Sequence, residues 1–179
     1  MEELIDRTNG MYFVTPMGKS VLSESTARGF AGLYSGETSR EEVSALFEEA
    51  DLTIMIGSLK SDFNTGSFSY HQKKKQSIEL HSDGTQVQFA SYQGVNFQRL
   101  LPVLIDSLER KTYLDDDELR AKMKKNLETV IPAGEEDEMV KQDAFWPMWT
   151  SFLKEDVSLS FYLSSLLLDV ALTRTERRC

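Results

Sequence analysis

The chain has 179 residues, of which 40% are hydrophobic and 27% are charged, so it can form one ordinary folded domain or slightly more. Its 29 acidic residues outnumber its 20 basic ones, which gives a net charge of −9. Without a long Lys/Arg run, the chain lacks the basic surface by which proteins bind the phosphates of nucleic acids. The single cysteine, Cys179, excludes an internal disulfide and a cysteine-based zinc cluster, and it favours a reducing, intracellular compartment.

The ends of the sequence lack the pattern of a targeting or membrane segment. Residues 1–7 are acidic and short of apolar side chains, unlike a signal peptide. The longest apolar-rich stretch, 161–173, contains Asp169 and two serines and is too short to cross a bilayer. These features predict a soluble, cytoplasmic protein.

The first fifty residues predict a helix, a strand and a second helix. Residues 2–8 are typical of the last turns of a helix, and 12–18 of a short buried strand that ends at a proline and a glycine. Residues 39–50 predict a complete helix, in which Ser39 and Glu42 have the spacing of a capping box. Its apolar face carries Val43, Leu46 and Phe47.

The middle of the chain continues the alternation of strands and helices. Residues 51–57 and 77–81 resemble strands of a parallel sheet that is covered on both faces, and 87–90 is a weaker strand candidate. An apolar helix is expected at 98–108. This order predicts an α/β fold with a Rossmann-like, three-layer, mostly parallel sheet built by right-handed crossovers.

In such a sheet, ligands bind outside the carboxyl ends of the strands. The polar stretch 62–70 follows a buried strand, and its small polar side chains could bind a ligand, while a glycine permits close backbone approach. Alternatively, the stretch is a structural loop whose side chains bond their own backbone, which the residue types alone favour. The candidate residues of a ligand crevice are Gly57, Asn64, Thr65, Gly66 and His81.

Residue types that carry catalysis or bind metals are sparse. His71, beside a lysine run, is expected in an exposed loop, whereas His81 could bind an anion or fill a hydrogen-bonded structural role. Two isolated histidines without a carboxylate cluster do not predict a metal site. Residues 18–20 (Gly-Lys-Ser) are similar to the end of a P-loop. The first glycine of that motif would have to be at position 13, which is Phe13, so a P-loop is not predicted.

The last third changes in character. Between residues 115 and 143 there are ten acidic and five basic side chains, which predicts a solvated linker with one short helix around 117–128. Large apolar side chains return at 145–149. We therefore expect a domain boundary near Asp143.

Several stretches, in order and at similar spacing, resemble the middle domain of fungal pyruvate decarboxylases. The stretch 62–70 is the most specific, being close to a signature of thiamine-diphosphate-dependent 2-oxo-acid decarboxylases. The resemblance covers about residues 4–110, and a weaker one at 142–156 is similar to the start of the family's third, diphosphate-binding domain. The matching stretches are 13–19, 32–36, 49–57, 61–70 and 79–83.

The resemblance divides the chain into four parts. Residues 1–110 would be a middle domain truncated at its start, without a first strand that lies inside the family's sheet, so exposed strand edges are expected. Residues 111–142 would be an acidic linker and 143–157 the start of the diphosphate-binding domain. Residues 158–179 would form an unrelated helical or apolar tail, as in a truncated or mis-spliced gene product.

The resemblance also implies a homo-oligomeric parent enzyme that releases carbon dioxide and an aldehyde from pyruvate or another 2-oxo acid, using thiamine diphosphate and Mg²⁺. Its catalytic, cofactor and metal residues lie in other domains, so none is assigned here. We therefore expect a fragment that is inactive and binds no cofactor alone. Alternatives are a non-catalytic regulatory or interaction module for full-length decarboxylase subunits, and a small-molecule sensor that uses the crevice.

Overall fold

The structure is a computed structural model, and it describes residues 1–22, 28–111, 115–127, 139 and 141–152. The helices predicted at 2–8, 39–50 and 98–108 are present, each within two residues of its expected ends, and the α/β fold class is confirmed. The helices are α1 (Glu2–Thr8), α2 (Glu41–Glu49), α3 (Phe97–Ser107), α4 (Asp117–Leu127) and α5 (Gln142–Phe152). The strands are β1 (Tyr12–Val14), β2 (Phe30–Leu33), β3 (Thr53–Ile56), β4 (Ser77–Leu80), β5 (Gly84–Val87) and β6 (Ala90–Gln93).

The strands form two sheets where the sequence predicted one. Strands β1 and β2 pair in parallel, and the other four form a second sheet in the order β3-β4-β5-β6. The parallel pairing expected from the apolar runs is present between β3 and β4, whereas β4, β5 and β6 are antiparallel. All four residues of β3 are half-buried, so this strand is less covered than predicted. Among the described residues, no helix is long and apolar enough to cross a membrane.

The strand predicted at 87–90 is wrong because these residues form the turn between β5 and β6. Val87 pairs with Ala90, which leaves Gln88 and Phe89 as a two-residue hairpin turn. Gln88 has a φ of 54°, the positive value that tight hairpin turns require. A two-residue turn reverses the chain, and this is why the second sheet ends in antiparallel strands.

Helix α2 begins differently from the prediction. Arg40, and not Ser39, is its N-cap residue, and no side chain caps the helix. The Ser39 hydroxyl instead accepts a hydrogen bond from the Ser35 backbone N–H at 2.6 Å. The predicted capping box with Glu42 is therefore wrong, but the buried face is confirmed. Its buried residues are Val43, Leu46 and Phe47.

An aromatic part of the core lies between the parallel pair β1–β2 and helix α2. Tyr34, which follows β2, stacks on Phe47 with ring centroids 3.8 Å apart, and Phe13 packs edge-on against both. Gly32 allows this close packing, because a Cβ atom there would lie 2.8 Å from Val43 Cγ2. This core fixes the start of the segment that follows β2.

The short helix predicted around 117–128 is present as α4, but it is not fully solvated. Leu119, Met123 and Asn126 recur at spacings of four and three and form one helix face. Met123 is buried and belongs to one apolar cluster with Ala31 of β2 and Leu46 of α2. Part of the segment predicted as a linker therefore packs on the core.

Helix α5 contains the apolar residues expected at 145–149, and the tail predicted at 158–179 lies outside the described residues. Its rings form a row, since Trp149 stacks on Phe145 and on Phe152 with centroids 6.0 Å apart in both pairs. Phe152 is largely exposed, which gives α5 an apolar face towards solvent.

Candidate functional site

Side chains of the polar loop after β3 form hydrogen bonds with backbone groups. Asn64 is buried, its Nδ2 donates to the Leu59 carbonyl at 2.9 Å, and its Oδ1 accepts from the Met17 N–H at 3.0 Å. A buried amide must find such partners, because an unpaired one would be expensive. Asn64 thus ties the turn after β1 to the loop after β3.

Thr65 and Gly66, two further crevice candidates, also have structural roles within the loop. The Thr65 hydroxyl donates to the Ser61 carbonyl at 2.6 Å and accepts from the Phe68 N–H at 3.0 Å. Gly66 has a φ of 54°, and a Cβ atom there would lie 2.2 Å from the Ser35 carbonyl oxygen. Glycine is needed at this position for both its conformation and its small size.

The same loop grips the segment that follows β2. The Ser35 hydroxyl donates to the Phe63 carbonyl at 3.2 Å, and the Glu37 N–H donates to the Ser69 hydroxyl at 2.9 Å. The His71 N–H donates to the Tyr34 hydroxyl at 3.0 Å. The His71 ring is exposed, as predicted, and lies 3.8 Å from the carboxylate of Glu37. These contacts connect the β1–β2 pair to the second sheet.

A charged cluster lies at the carboxyl end of β4. The buried carboxylate of Glu79 accepts from Lys60 Nζ at 2.6 Å, and its other oxygen lies 3.2 Å from His81 Nε2. Since an ionised carboxylate can only accept, Nε2 carries the proton and Nδ1 is left for another partner. The half-buried His81 is therefore held in one orientation.

Gly57 and His81 meet at this strand end, but the other three candidates lie apart from them. The Gly57 N–H donates to the carbonyl of Leu80, the residue before His81, at 2.8 Å. The hydrogen bonds and close contacts of residues 64–66 run instead to their own loop and to the segments after β1 and β2. The five predicted residues thus belong to two neighbouring structures.

Opposing effects set the pKa of Glu79. Burial raises the pKa, but the hydrogen bond and charge of Lys60, followed by those of His81, outweigh burial and hold it below its usual value. Glu79 is therefore ionised at neutral pH and balances the charge of Lys60.

Two residues of this charged cluster, Glu79 and Lys60, were not predicted from the sequence. Glu79 interrupts an apolar strand, and a charge at such a position needs a buried partner, which was a usable signal. Lys60, its partner, could not be identified from the sequence because it lies 19 positions away. Ser58 follows Gly57 at a strand end where the sequence predicts a pocket, and its buried hydroxyl has no hydrogen-bond partner in the described part of the chain.

A cavity of about 270 Å³ lies at the start of α2 and does not coincide with this cluster. None of the five crevice candidates lines it, whereas His71, which was expected in an exposed loop, does. Its walls are mostly acidic and hydroxyl-bearing. They are formed by Gly36, Glu37, Ser39, Glu41, Ser44, Glu48 and His71.

The described residues do not fit a site for Mg²⁺ and a diphosphate. Among them, no group of three or more His, Cys, Asp or Glu side chains is placed to hold a metal ion. Mg²⁺ needs several oxygen ligands in near-octahedral geometry. The buried carboxylate of Glu79 is already bound by Lys60 and His81, so it offers no free ligand.

Comparison with known proteins identifies the family. Residues 1–96 match the family described as thiamine pyrophosphate enzyme, central domain, which is more than half of the chain. The chain therefore belongs to this family of thiamine-dependent enzymes through its central domain. Within it, the similar proteins place the chain in the pyruvate decarboxylase family, as the sequence motifs predicted.

Three relatives illustrate the match. Pyruvate decarboxylase of Candida albicans is 44% identical over 108 residues, which is 60% of this chain and 19% of that protein. The enzyme of the same name from Candida glabrata is 45% identical over 107 residues, again 60% of this chain and 19% of that protein. Pyruvate decarboxylase isozyme 3 of Saccharomyces cerevisiae is 38% identical over 164 residues, 89% of this chain and 28% of that protein.

The extent of these matches matters for function. The chain spans about a quarter of the length of the curated relatives it matches, 26% for the first of them. A match that includes 89% of this chain must extend past residue 96 and include α4 and α5. The similarity is therefore not confined to residues 1–96.

The depressed pKa of Glu79 predicts a loss of stability in acid. The native state binds this proton more weakly than the unfolded state, so the stabilisation is complete above about pH 4.5 and is lost as the pH falls below it. Glu79→Gln should lower the free energy of unfolding by about 1–3 kcal/mol at neutral pH. The difference from the wild type should shrink in acid, as measured by urea unfolding at several pH values.

The exposed Glu49→Gln is the matched control, since it removes the same charge from a helix surface, and its effect should stay within about 0.5 kcal/mol. A difference between wild type and Glu79→Gln that does not change from neutral to acidic pH would contradict the described contacts with Lys60 and His81.

Proposed function

We propose that this chain acts as the central domain of a thiamine-diphosphate-dependent 2-oxo-acid decarboxylase of the pyruvate type, in the cytoplasm and within an assembly of decarboxylase subunits. The whole enzyme would convert pyruvate or another 2-oxo acid to an aldehyde and carbon dioxide. The match of residues 1–96 to the central domain carries this proposal. Thiamine diphosphate and Mg²⁺ would be held by other parts of the enzyme, and this chain alone would be inactive.

The described contacts support a scaffolding role for this domain. The polar groups of the loop at 61–70 hydrogen-bond to the segments after β1 and β2 and to the loop's own backbone. These groups therefore have a structural role. The strand ends are thereby fixed relative to each other. A domain built in this way can present a rigid surface to neighbouring domains and subunits.

Catalysis by the isolated chain provides the direct test. Purified chain with pyruvate, thiamine diphosphate and Mg²⁺ should release no carbon dioxide above the rate without protein, in a coupled assay for the aldehyde product. A full-length pyruvate decarboxylase in the same assay is the positive control. Carbon dioxide release proportional to the concentration of this chain would contradict the proposal.

A second candidate function is binding of a 2-oxo acid at the ends of β3 and β4. Two observations favour it: within the described part of the chain the buried Ser58 hydroxyl has no hydrogen-bond partner, and His81 uses Nε2 towards Glu79 while its Nδ1 has no described partner. A protonated His81 would give the cluster with Lys60 one surplus positive charge, which suits a carboxylate. This site would sense substrate and perform no chemistry.

The two histidines allow a matched test of this candidate. Titration with pyruvate at slightly acidic pH should shift the imidazole resonances of His81 in the NMR spectrum and leave those of the exposed His71 unchanged. His81→Ala should abolish the saturable part of the response, whereas His71→Ala should preserve it. Equal shifts of both rings, or no shift at either, would contradict binding at the strand ends.

A further inference from the structure

Helix α4 and helix α2 carry opposite charge. Helix α2 holds four glutamates and no basic residue, whereas α4 holds two acidic and four basic residues, a net charge of +2. Through Met123, α4 shares an apolar cluster with Leu46 of α2, so the two helices pack in the same part of the molecule. Attraction between them is electrostatic and therefore screened by salt.

Two hydrogen bonds fasten the end of α4 to the start of α2. Arg40, the N-cap residue of α2, donates from Nη1 to the Asn126 carbonyl at 2.7 Å. The buried side chain of Asn126 donates back from Nδ2 to the Glu42 carbonyl at 3.3 Å. The Asn126 carbonyl lies in the last turn of α4, where carbonyls lack partners within the helix and the helix dipole is negative. We call this pair of contacts the Arg40–Asn126 latch.

Within the described ranges, the other attachments of α4 are one exposed ion pair and a small apolar contact. The ion pair of Arg28 with Asp115, just before α4, measures 3.1 Å, but both side chains are more than half exposed, so water screens it. Met123 is the only buried apolar side chain of the helix. An isolated helix of 11 residues is marginal in water, so α4 depends on being held to the domain.

We propose that α4 is a detachable strap of the central domain, closed over β2 and α2 by the Arg40–Asn126 latch and opened by salt. Its opening uncovers Ala31 and Leu46 while the rest of the core remains folded. The strap thus makes exposure of this surface depend on ionic strength.

Hydrogen exchange of the full chain tests the strap. In Arg40→Ala, amides of α4 should exchange about 10–100-fold faster, because a charged hydrogen bond is lost, while the amide of Leu80 in β4 should be unchanged. Asn126→Ala removes only the longer hydrogen bond of the latch and should give a smaller acceleration in the same amides. In the wild type, raising the salt from about 0.1 M to about 1 M should speed exchange in α4 severalfold.

Arg99→Ala is the matched control, since it removes the same charge from the exposed surface of α3 and should leave α4 unchanged. The strap would be overturned if α4 exchanges at the wild-type rate in Arg40→Ala. It would also be overturned if Leu80 accelerates as much as α4, because α4 would then open only with the whole domain.

Discussion

The loop after β3 is the constraint on which the rest of this structure depends. In the described ranges, the parallel pair β1–β2 and the sheet β3–β6 share no strand pairing, so backbone ladders there do not join them. The join is made by the loop: Asn64 binds the turn after β1, and Gly66 packs against the carbonyl of Ser35 after β2. Loss of the buried Asn64 amide would leave polar atoms unpaired, and any side chain at position 66 would overlap the Ser35 carbonyl.

The position of the candidate site follows from this use of the loop. The polar side-chain atoms of Asn64 and Thr65 are already hydrogen-bonded within the protein. The neighbouring charged cluster is therefore the better candidate for binding a ligand at the strand ends. In that cluster, Glu79 neutralises Lys60 and orients His81. Such an arrangement suits recognition of an anion and lacks the oxygen ligands of a magnesium site. It fits the proposal that this domain supports an enzyme whose cofactor is held elsewhere.

Local patterns predicted local structure, and contacts between distant parts of the chain were harder to foresee. Apolar spacing predicted α2, because burial of one helix face dictates that spacing, and short apolar runs predicted the positions of β3 and β4. The Ser39 cap failed because its hydroxyl found a competing backbone partner in Ser35. The contact of Met123 with the core was hidden because its helix is mostly polar and its partners lie far away in sequence.

The coupling of the two sheets can be measured with two glycine variants that differ only in their surroundings. Gly66 and Gly57 both have positive φ, but a Cβ at Gly66 meets the Ser35 carbonyl, whereas one at Gly57 has no neighbour within 4 Å. Both alanine variants bear a conformational penalty of about 1–2 kcal/mol, and Gly66→Ala alone adds the overlap. Native-state hydrogen exchange should show protection falling further in Gly66→Ala, and by equal amounts in β2 and β4. Equal losses in the two variants, or a loss confined to one sheet, would contradict a loop that joins them.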